Sequence, residues 1–279
     1  MTPLLDSLLL RALEEDLSSG DLTTEATVEP DCQAQAVALA KSPLVVCGGE
    51  VFRRTFELVD PEVRFTSHLT DGAVAEPGHV IWALDGPARS LLMAERTALN
   101  FVQRLSGISS LTRRYVATLP TNSRTRITDT RKTTPGLRAL ERYAIRVGGG
   151  HNHRDNLGSA VLIKDYHIAA AGGVTTAVRR ARERAPHTSH IEIEVESLAM
   201  LQEALDAGAD VVKLDNFPAA EMAEAVARCR NRALIEVSGN VTLERIAELG
   251  ALGVDIISCG ALTHSVMAAD ISLRIRTTS

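Results

Sequence analysis

This sequence is short of rings. Only 3% of its residues are Phe, Trp or Tyr, so a single-stranded nucleic acid would find few platforms on which to stack its bases. Four cysteines occur, Cys32, Cys47, Cys229 and Cys259, with no CxxC pair among them. That spacing supplies neither a zinc site nor a disulfide framework, and the expectation is small buried thiols in a reducing compartment. No apolar run approaches the ~20 residues of a membrane span. The N-terminal stretch MTPLLDSLLLRALEEDL is amphipathic and carries acids; it lacks the charged head, long apolar run and cleavage site of a secretion signal. The expected setting is the cytoplasm, with neither membrane nor nucleic acid as partner. Low-complexity segments, obvious repeats, the Walker pattern and the Rossmann glycine fingerprint are also missing.

What is present is 279 residues, 45% of them hydrophobic. That is enough for one large α/β domain, or for a barrel with a smaller attached domain. With few aromatics, the core is expected to consist of Leu, Val, Ile and Ala. The net charge of −5 is unevenly spread: Arg124 to Lys164 holds nine Lys/Arg against three Asp/Glu. A local basic block in an acidic chain points to a small anionic ligand, whereas a nucleic-acid footprint extends over a face.

The first part of the chain differs from the rest. Residues 4–17 read as a helix with Leu5, Leu8, Leu9 and Leu13 on one face. Residues 33–47 and 73–84 read as strands broken by Pro and Gly, with a helix over 50–59 between them and a long helical pattern over 91–119. From about residue 125 a short apolar run, a turn and a helix recur in that order. Strands are predicted at Arg126–Thr130, Ala160–Lys164, Ile191–Glu196, Val211–Asp215, Leu234–Ser238 and Asp255–Cys259. Helices are predicted at Val174–Arg184, Leu198–Ala207, Ala219–Arg230 and Leu243–Leu249. Alternating β and α predicts a parallel sheet with right-handed crossovers. Six or seven units point to a (β/α) barrel short of the usual eight, with a doubly wound open sheet as the alternative.

The strands carry polar residues where a sheet covered on both faces has none. In IEIEVES, Ile191, Ile193 and Val195 share one face, and Glu192, Glu194 and Glu196 the other. Lys213 and Asp215 oppose Val212 and Leu214; Glu236 and Ser238 oppose Ile235 and Val237; Lys164 closes its strand. In a barrel the apolar parity packs on the helices and the polar parity enters the lumen, near the C-terminal mouth. Buried charges there must pair with each other, with metal or with substrate. A solvated sheet edge explains one such strand, and explains four at the same end poorly.

Two basic segments, ITDTRKTTPGLR and VGGGHNHRDNL, fall at strand-to-helix connections and bring Arg131, Lys132, His151, His153 and Arg154. An arginine fork binds carboxylate bidentately, so a ligand with more than one carboxylate fits the cluster. HNHR is also a possible metal pair, although no further ligand follows at zinc spacing. The turns Ser238-Gly239-Asn240 and Ser258-Cys259-Gly260 end consecutive strands, where backbone N–H groups before a helix can hold phosphate.

These motifs, together with EEDLSSGDLTT, AERTALNFVQRLSGIS, NLGSAVLIKDYHI, VKLDNF and ISCGALTHS, resemble the quinolinate phosphoribosyltransferase family over nearly the whole chain. DTRKTTPGLR with GGGHNHR is the most telling pair. The resemblance implies an α+β open-sandwich domain over residues 1–108, an incomplete (β/α) barrel over 109–264, and a segment 265–279 returning to the first domain. It implies an enzyme of NAD biosynthesis that converts quinolinate and phosphoribosyl pyrophosphate to nicotinate mononucleotide, CO2 and pyrophosphate. It implies a homodimer with shared active sites, a trimer of dimers being left open, in which Arg96 reaches the neighbouring subunit's site. Arg131, Lys132, His153 and Arg154 resemble the quinolinate cradle, with Lys164 beside it, and Thr130 resembles a further substrate-binding residue. Glu194 and Asp215 resemble the acids that hold the ribose hydroxyls and Mg2+, partly through substrate or water. Ser238, Gly239, Asn240, Ser258, Cys259 and Gly260 resemble the phosphate turns, and Lys132, Lys164, Glu194 and Asp215 the catalytic set. Asp155, Gly158 and Tyr166 fall at positions where the family varies or often differs, which leaves the pocket's shape near His153 and Arg154 open. Competing uses of the same residues are a Schiff base on Lys164 or Lys213, a non-catalytic anion-binding protein, and the related barrel enzymes of molybdate operons.

Overall fold

The computed structural model of the chain describes residues 3–215, 217–239 and 241–278. They divide into two compact units, one made of residues up to 113, 134–149 and 265 onward, the other of 114–133 and 150–264.

In the first unit, helices α1 (Pro3–Leu17) and α2 (Leu22–Thr27) precede β1 (Gln33–Ala40) and β2 (Leu44–Val45). Helix α3 (Gly49–Val59), β3 (Arg64–Ser67), β4 (Val74–Ala75) and β5 (Val80–Pro87) follow, and then the 30-residue α4 (Ala88–Ala117). In β1 the alternation of QAQAVALA buries Ala34, Ala36, Ala38 and Ala40, the period-2 pattern of a strand with one covered face. Four of the chain's nine aromatic residues, Phe52, Phe56, Phe65 and Trp82, collect in this core. Phe52 stacks on Trp82 with ring centroids 4.7 Å apart and tilts against Phe56 at 5.0 Å. An expectation of a purely aliphatic core therefore fails for this unit.

Six parallel strands build the second unit: β6 (Arg126–Thr128), then β7 (Val161–Ile163), β8 (Ile191–Val195), β9 (Val211–Asp215), β10 (Leu234–Ser238) and β11 (Ile256–Ser258). Between them run α5 (Arg138–Val147), which belongs to the first unit, α6 (Asp165–Ala171), α7 (Val174–Arg184), α8 (Leu198–Asp206), α9 (Met222–Cys229) and α10 (Leu243–Leu252). Helix α9 begins with a 3-10 turn at Ala219–Glu221. The strand order β6-β11-β10-β9-β8-β7 starts and ends on strands adjacent in the chain, and among the described residues only an isolated parallel bridge from Thr128 to His151 flanks the free side of β6. This is a barrel left open between β6 and β7, as the alternating pattern predicts. Strands β6, β7 and β11 are shorter than the sequence indicates, at three residues each.

After the short α11 (Ala261–His264) the chain ends in β12 (Ile271–Thr278), which pairs antiparallel with β1 in the sheet β12-β1-β5-β3. Before β12 the chain crosses α4 where it has no side chain: a Cβ on Gly107 would lie 2.2 Å from the Met267 carbonyl oxygen.

Candidate active site

Parallel register sets the charges of the lumen side by side. Lys213 on β9 lies opposite Glu194 of β8 on one side and Glu236 of β10 on the other. Strand alternation turns Ile193, Val212, Leu214, Ile235 and Val237 the other way, where they are buried. The polar parity is buried too: Glu192 is 7% exposed, Lys213 8% and Glu236 1%. A solvated edge is thereby ruled out. Lys213 Nζ lies 3.1 Å from Glu236 Oε1, 3.8 Å from Glu194 Oε1 and 4.0 Å from Glu192 Oε1. Lys164 Nζ donates to both oxygens of Glu194, at 2.9 and 3.1 Å. Charge thus alternates across four neighbouring strands, Lys164, Glu194, Lys213, Glu236. Each buried ion has an opposite neighbour, without which burial would cost several kcal/mol.

The loop after α5 is tied down by an acid that sequence reasoning did not single out. Asp129, fully buried at the end of β6, accepts the His153 N–H at 2.7 Å through Oδ1 and the Asn152 side-chain amide at 2.7 Å through Oδ2. The His153 ring reaches across the lumen, its Nε2 lying 3.2 Å from Glu192 Oε2 and 3.3 Å from Glu236 Oε2. On its other side the Arg154 backbone N–H donates to His153 Nδ1 at 2.8 Å. The Arg154 guanidinium donates to the Ala160 carbonyl at 3.1 Å.

These contacts shift the protonation equilibria. Burial alone would lower the His153 pKa, but the hydrogen bonds to Glu192 and Glu236, with their charges, raise it to about 9. The Arg154 N–H opposes that rise, because it requires a bare Nδ1. With Nδ1 accepting from the Arg154 N–H at 2.8 Å, the proton on Nε2 lies between the Glu192 and Glu236 carboxylates. Lys213 behaves similarly. Burial pulls its pKa down, and the charges of Glu236 and Glu192 carry it above its usual 10.5. Burial also pushes Glu236 up, yet His153 and Lys213 hold it well below the ordinary carboxylate range. Arg154 is lowered, first by burial and then by repulsion from Arg131. An anion bound between the two guanidiniums would relieve that repulsion.

A cavity of about 960 Å³ opens above this layer. Thr130, Arg131, Lys132, His153 and Arg154 line one part of it, Lys164, Glu194 and Asp215 another. The turns contribute Ser238 and Gly239 after β10, and Ser258, Cys259 and Gly260 after β11. Gly239 has φ +83°, a left-handed conformation that a side chain would strain. The Ser238 hydroxyl donates to Asp215 Oδ1 at 3.2 Å. Asn240 lies outside the described residues. Arg96 is not among the lining groups; its side chain, 59% exposed on α4, borders a separate hollow of the first unit with Asn100 and Arg104. Asp155 and Tyr166 are exposed and do not line the cavity.

Sequence reading missed Leu162, Thr242 and His264 in the lining. His264 is close to Gly260, where a Cβ would meet its Nε2 at 3.0 Å; a lone histidine in a helix of four residues carries no sequence signal. Cys259 takes part less than the turn pattern implies. Its N–H goes to the Thr128 carbonyl at 2.9 Å, and burial, followed by the Glu236 charge, pushes its thiol up to about 12. Lys213 does not suit a Schiff base, which needs a lowered ammonium pKa. The trio His153, Glu192 and Glu236 has metal-like spacing. However, the Lys213 ammonium already sits against Glu236, and the Nε2 proton lies where a metal would require a lone pair. Among the described residues no helix is long and apolar enough to cross a membrane.

Comparison with known proteins agrees with this geometry. The family profile described as quinolinate phosphoribosyl transferase, C-terminal domain, matches residues 108–274, and the N-terminal domain profile matches residues 21–106. The chain is 43% identical to a probable carboxylating nicotinate-nucleotide pyrophosphorylase of Bacillus subtilis over 97% of this chain and 93% of that protein. It is 42% identical to the carboxylating nicotinate-nucleotide pyrophosphorylase of Mycobacterium leprae, covering 94% of each chain. The crystal structure of NadC from Streptococcus pyogenes superposes with a TM-score of 0.95 at 43% identity, covering 100% of this chain and 99% of the other. Paired N- and C-terminal profiles and full-length identity of this order place the chain in the quinolinate phosphoribosyl transferase family.

Proposed function

We propose that this chain is the enzyme that condenses quinolinate with phosphoribosyl pyrophosphate, giving nicotinate mononucleotide, CO2 and pyrophosphate for NAD biosynthesis. The observation that carries the reading is the single cavity in which Arg131, Lys132 and Arg154 face Glu194 and Asp215. Quinolinate brings two carboxylates, which the arginine forks can take bidentately. As the bond at ribose C1 breaks, positive charge develops on the ring and negative charge on the departing diphosphate. Glu194 and Asp215 on one side and the basic groups on the other are fixed charges of the right sign for both, which typically stabilises such a state by several kcal/mol.

The pyridine nitrogen is the nucleophile, so the chain need not supply one, in keeping with the buried thiol of Cys259. Once ribosylated, that nitrogen is cationic and stabilises the carbanion left as the adjacent carboxylate departs as CO2. The chain's own contribution is orientation and electrostatics. Lys132 and Lys164 would hold and neutralise the substrate anions, and the turns at Ser238–Gly239 and Ser258–Gly260 would seat the phosphates.

Mg2+ fits the donor set. Asp215 and Glu194 are hard oxygen ligands on adjacent strands, and this ion is commonly held by one or two carboxylates plus substrate phosphate oxygens. When bound it would neutralise charge on the leaving diphosphate. Both oxygens of Glu194 are engaged by Lys164, and Asp215 Oδ1 accepts from the Ser238 hydroxyl. We also infer a homodimer in which Arg96 serves the partner's site, supported by its exposure on α4 outside this cavity. A cytosolic setting is supported by four cysteines without disulfides. The decisive assay incubates the protein with quinolinate, phosphoribosyl pyrophosphate and Mg2+ and measures nicotinate mononucleotide and CO2 together. Equal turnover with nicotinate, or no product, would overturn the reading; sedimentation as a monomer would overturn the dimer.

A further inference from the structure

Three glutamates point into the lumen, and the reaction as described uses one of them. Glu192 and Glu236 lie below the cavity floor and are not part of its lining. Buried carboxylates are poor stabilisers: an ion cluster of this kind commonly adds nothing over apolar residues of similar volume. Glu192 Oε1 even lacks a hydrogen-bond partner among the described residues, its nearest cation being Lys213 Nζ at 4.0 Å. Besides Lys213, the two acids share the His153 ring, 3.2 and 3.3 Å from its Nε2. A ring held there presents Nδ1 to the Arg154 N–H at 2.8 Å. Asp129 fixes the same loop through the His153 N–H at 2.7 Å, and the Ala160 carbonyl holds the Arg154 guanidinium at 3.1 Å. A continuous chain of contacts therefore runs from Glu192 and Glu236, through both nitrogens of one imidazole, to an arginine on the cavity wall.

We propose that Glu192 and Glu236 are positioning residues for quinolinate binding, clamping the Nε2–H of His153 so that its Nδ1 sets the backbone of Arg154 and with it the guanidinium that receives a substrate carboxylate. Within this arrangement His153 acts through Arg154, since each of its ring nitrogens has a protein partner. The inference rests on the quinolinate reading of the cavity. It goes further in assigning the specificity for the dicarboxylate to a pair of acids that never touch it.

The test is a double-mutant cycle on binding. Quinolinate and Mg2+-phosphoribosyl pyrophosphate are each titrated calorimetrically into the wild-type protein, Glu192→Gln, Arg154→Ala and the double variant. Glu192→Gln is expected to weaken quinolinate binding at least ~10-fold while changing the affinity for the sugar diphosphate less than ~3-fold. In the Arg154→Ala background the same substitution is expected to cost less than ~2-fold, because the arginine it positions is gone. Equal weakening of both substrates, an undiminished effect without Arg154, or unchanged quinolinate affinity would each overturn the proposal. Should Glu192→Gln lose its native circular dichroism, Glu236→Gln enters the same cycle; failure of both to fold makes the pair structural and also overturns it. Wild-type protein that does not bind quinolinate at all would instead refute the proposed function, so the two failures are distinguishable.

Discussion

Replacing Lys213 by methionine removes one positive charge while keeping the length and apolar stem of the side chain. At 3.1 Å from Glu236 and an effective dielectric constant of ~20, the lost attraction is about 5 kcal/mol. Desolvation of the ammonium offsets part of that, and removal of one partner from a buried pair typically costs about 3–5 kcal/mol. The variant can recover some of the loss by protonating a carboxylate. Glu236, held well below the ordinary range in the native protein by His153 and Lys213 against the opposing effect of burial, would rise above the ~4.3 of an unfolded glutamate. A folded-state pKa raised above the unfolded one means stability falls as pH increases through the folded value. Lys213 itself is held above 10.5 in the wild-type protein, so its charge is constant throughout this range. Urea denaturation of Lys213→Met is therefore expected to show a deficit of about 3 kcal/mol at pH 8 that narrows toward pH 5. A deficit below ~1 kcal/mol at pH 8, or one independent of pH, would refute the view that this lysine balances the lumen carboxylates.

Arg131→Ala is expected to fold normally, because the side chain is exposed at the cavity, and to lose at least ~100-fold in kcat/KM, about 3 kcal/mol; near-normal turnover would remove it from the site. Cys259→Ala is expected to keep turnover within ~3-fold, since the thiol is 3% exposed and its pKa is pushed up to about 12 by burial and Glu236. Inactivation of the wild-type protein by a thiol alkylator through Cys259 at neutral pH would contradict that. Gly107→Ala tests the crossing of α4 by the chain before β12. Helix propensity alone favours alanine by ~1 kcal/mol, but the Cβ would lie 2.2 Å from a backbone oxygen. The net expectation is a loss of about 2 kcal/mol, read as a lower thermal midpoint, and a raised midpoint would show that the segments part easily.

Much of the site was legible because strand alternation is a strict rule. The period of IEIEVES alone predicts that Glu192 and Glu194 share a face, and the same parity in VVKLD and LIEVS collects Lys213, Asp215, Glu236 and Ser238. Position at the strand end then brings Arg131 and Lys164 toward the mouth. What alternation does not encode is depth. Glu192 and Glu194 are indistinguishable by pattern, yet two residues along a strand move a side chain by about 6.6 Å, from the cavity wall to the sealed layer beneath it. Loop contacts were equally hidden. Asp129 sits in a basic block, where its charge looks like a counter-ion, whereas its carboxylate is fully buried and organises Asn152 and His153. The C-terminal strand β12 was not recognised as such, although Ile271, Leu273 and Ile275 alternate with Ser272, Arg274 and Arg276. An isolated alternating octapeptide has no meaning until a partner such as β1 gives it an edge to join.

The alternating lumen layer also explains why a site for anions can contain so many acids. Were Glu192, Glu194 and Glu236 opposed only by the cavity's cations, Arg131, Lys132 and Arg154 would be neutralised from within and have little potential left for a substrate. Lys164 and Lys213 prevent this by engaging the glutamates across neighbouring strands, with Lys164 on Glu194 and Lys213 against Glu236, while His153 donates to Glu192 and Glu236. The acids are thus compensated at their own depth, and the field of the two guanidiniums reaches the cavity. Arg131 and Arg154 line that cavity together, and repulsion from Arg131 adds to burial in lowering Arg154. Fixed charges preserved in this way need little reorganisation when the substrate's own charges develop, which is where electrostatic catalysis gains its advantage over water.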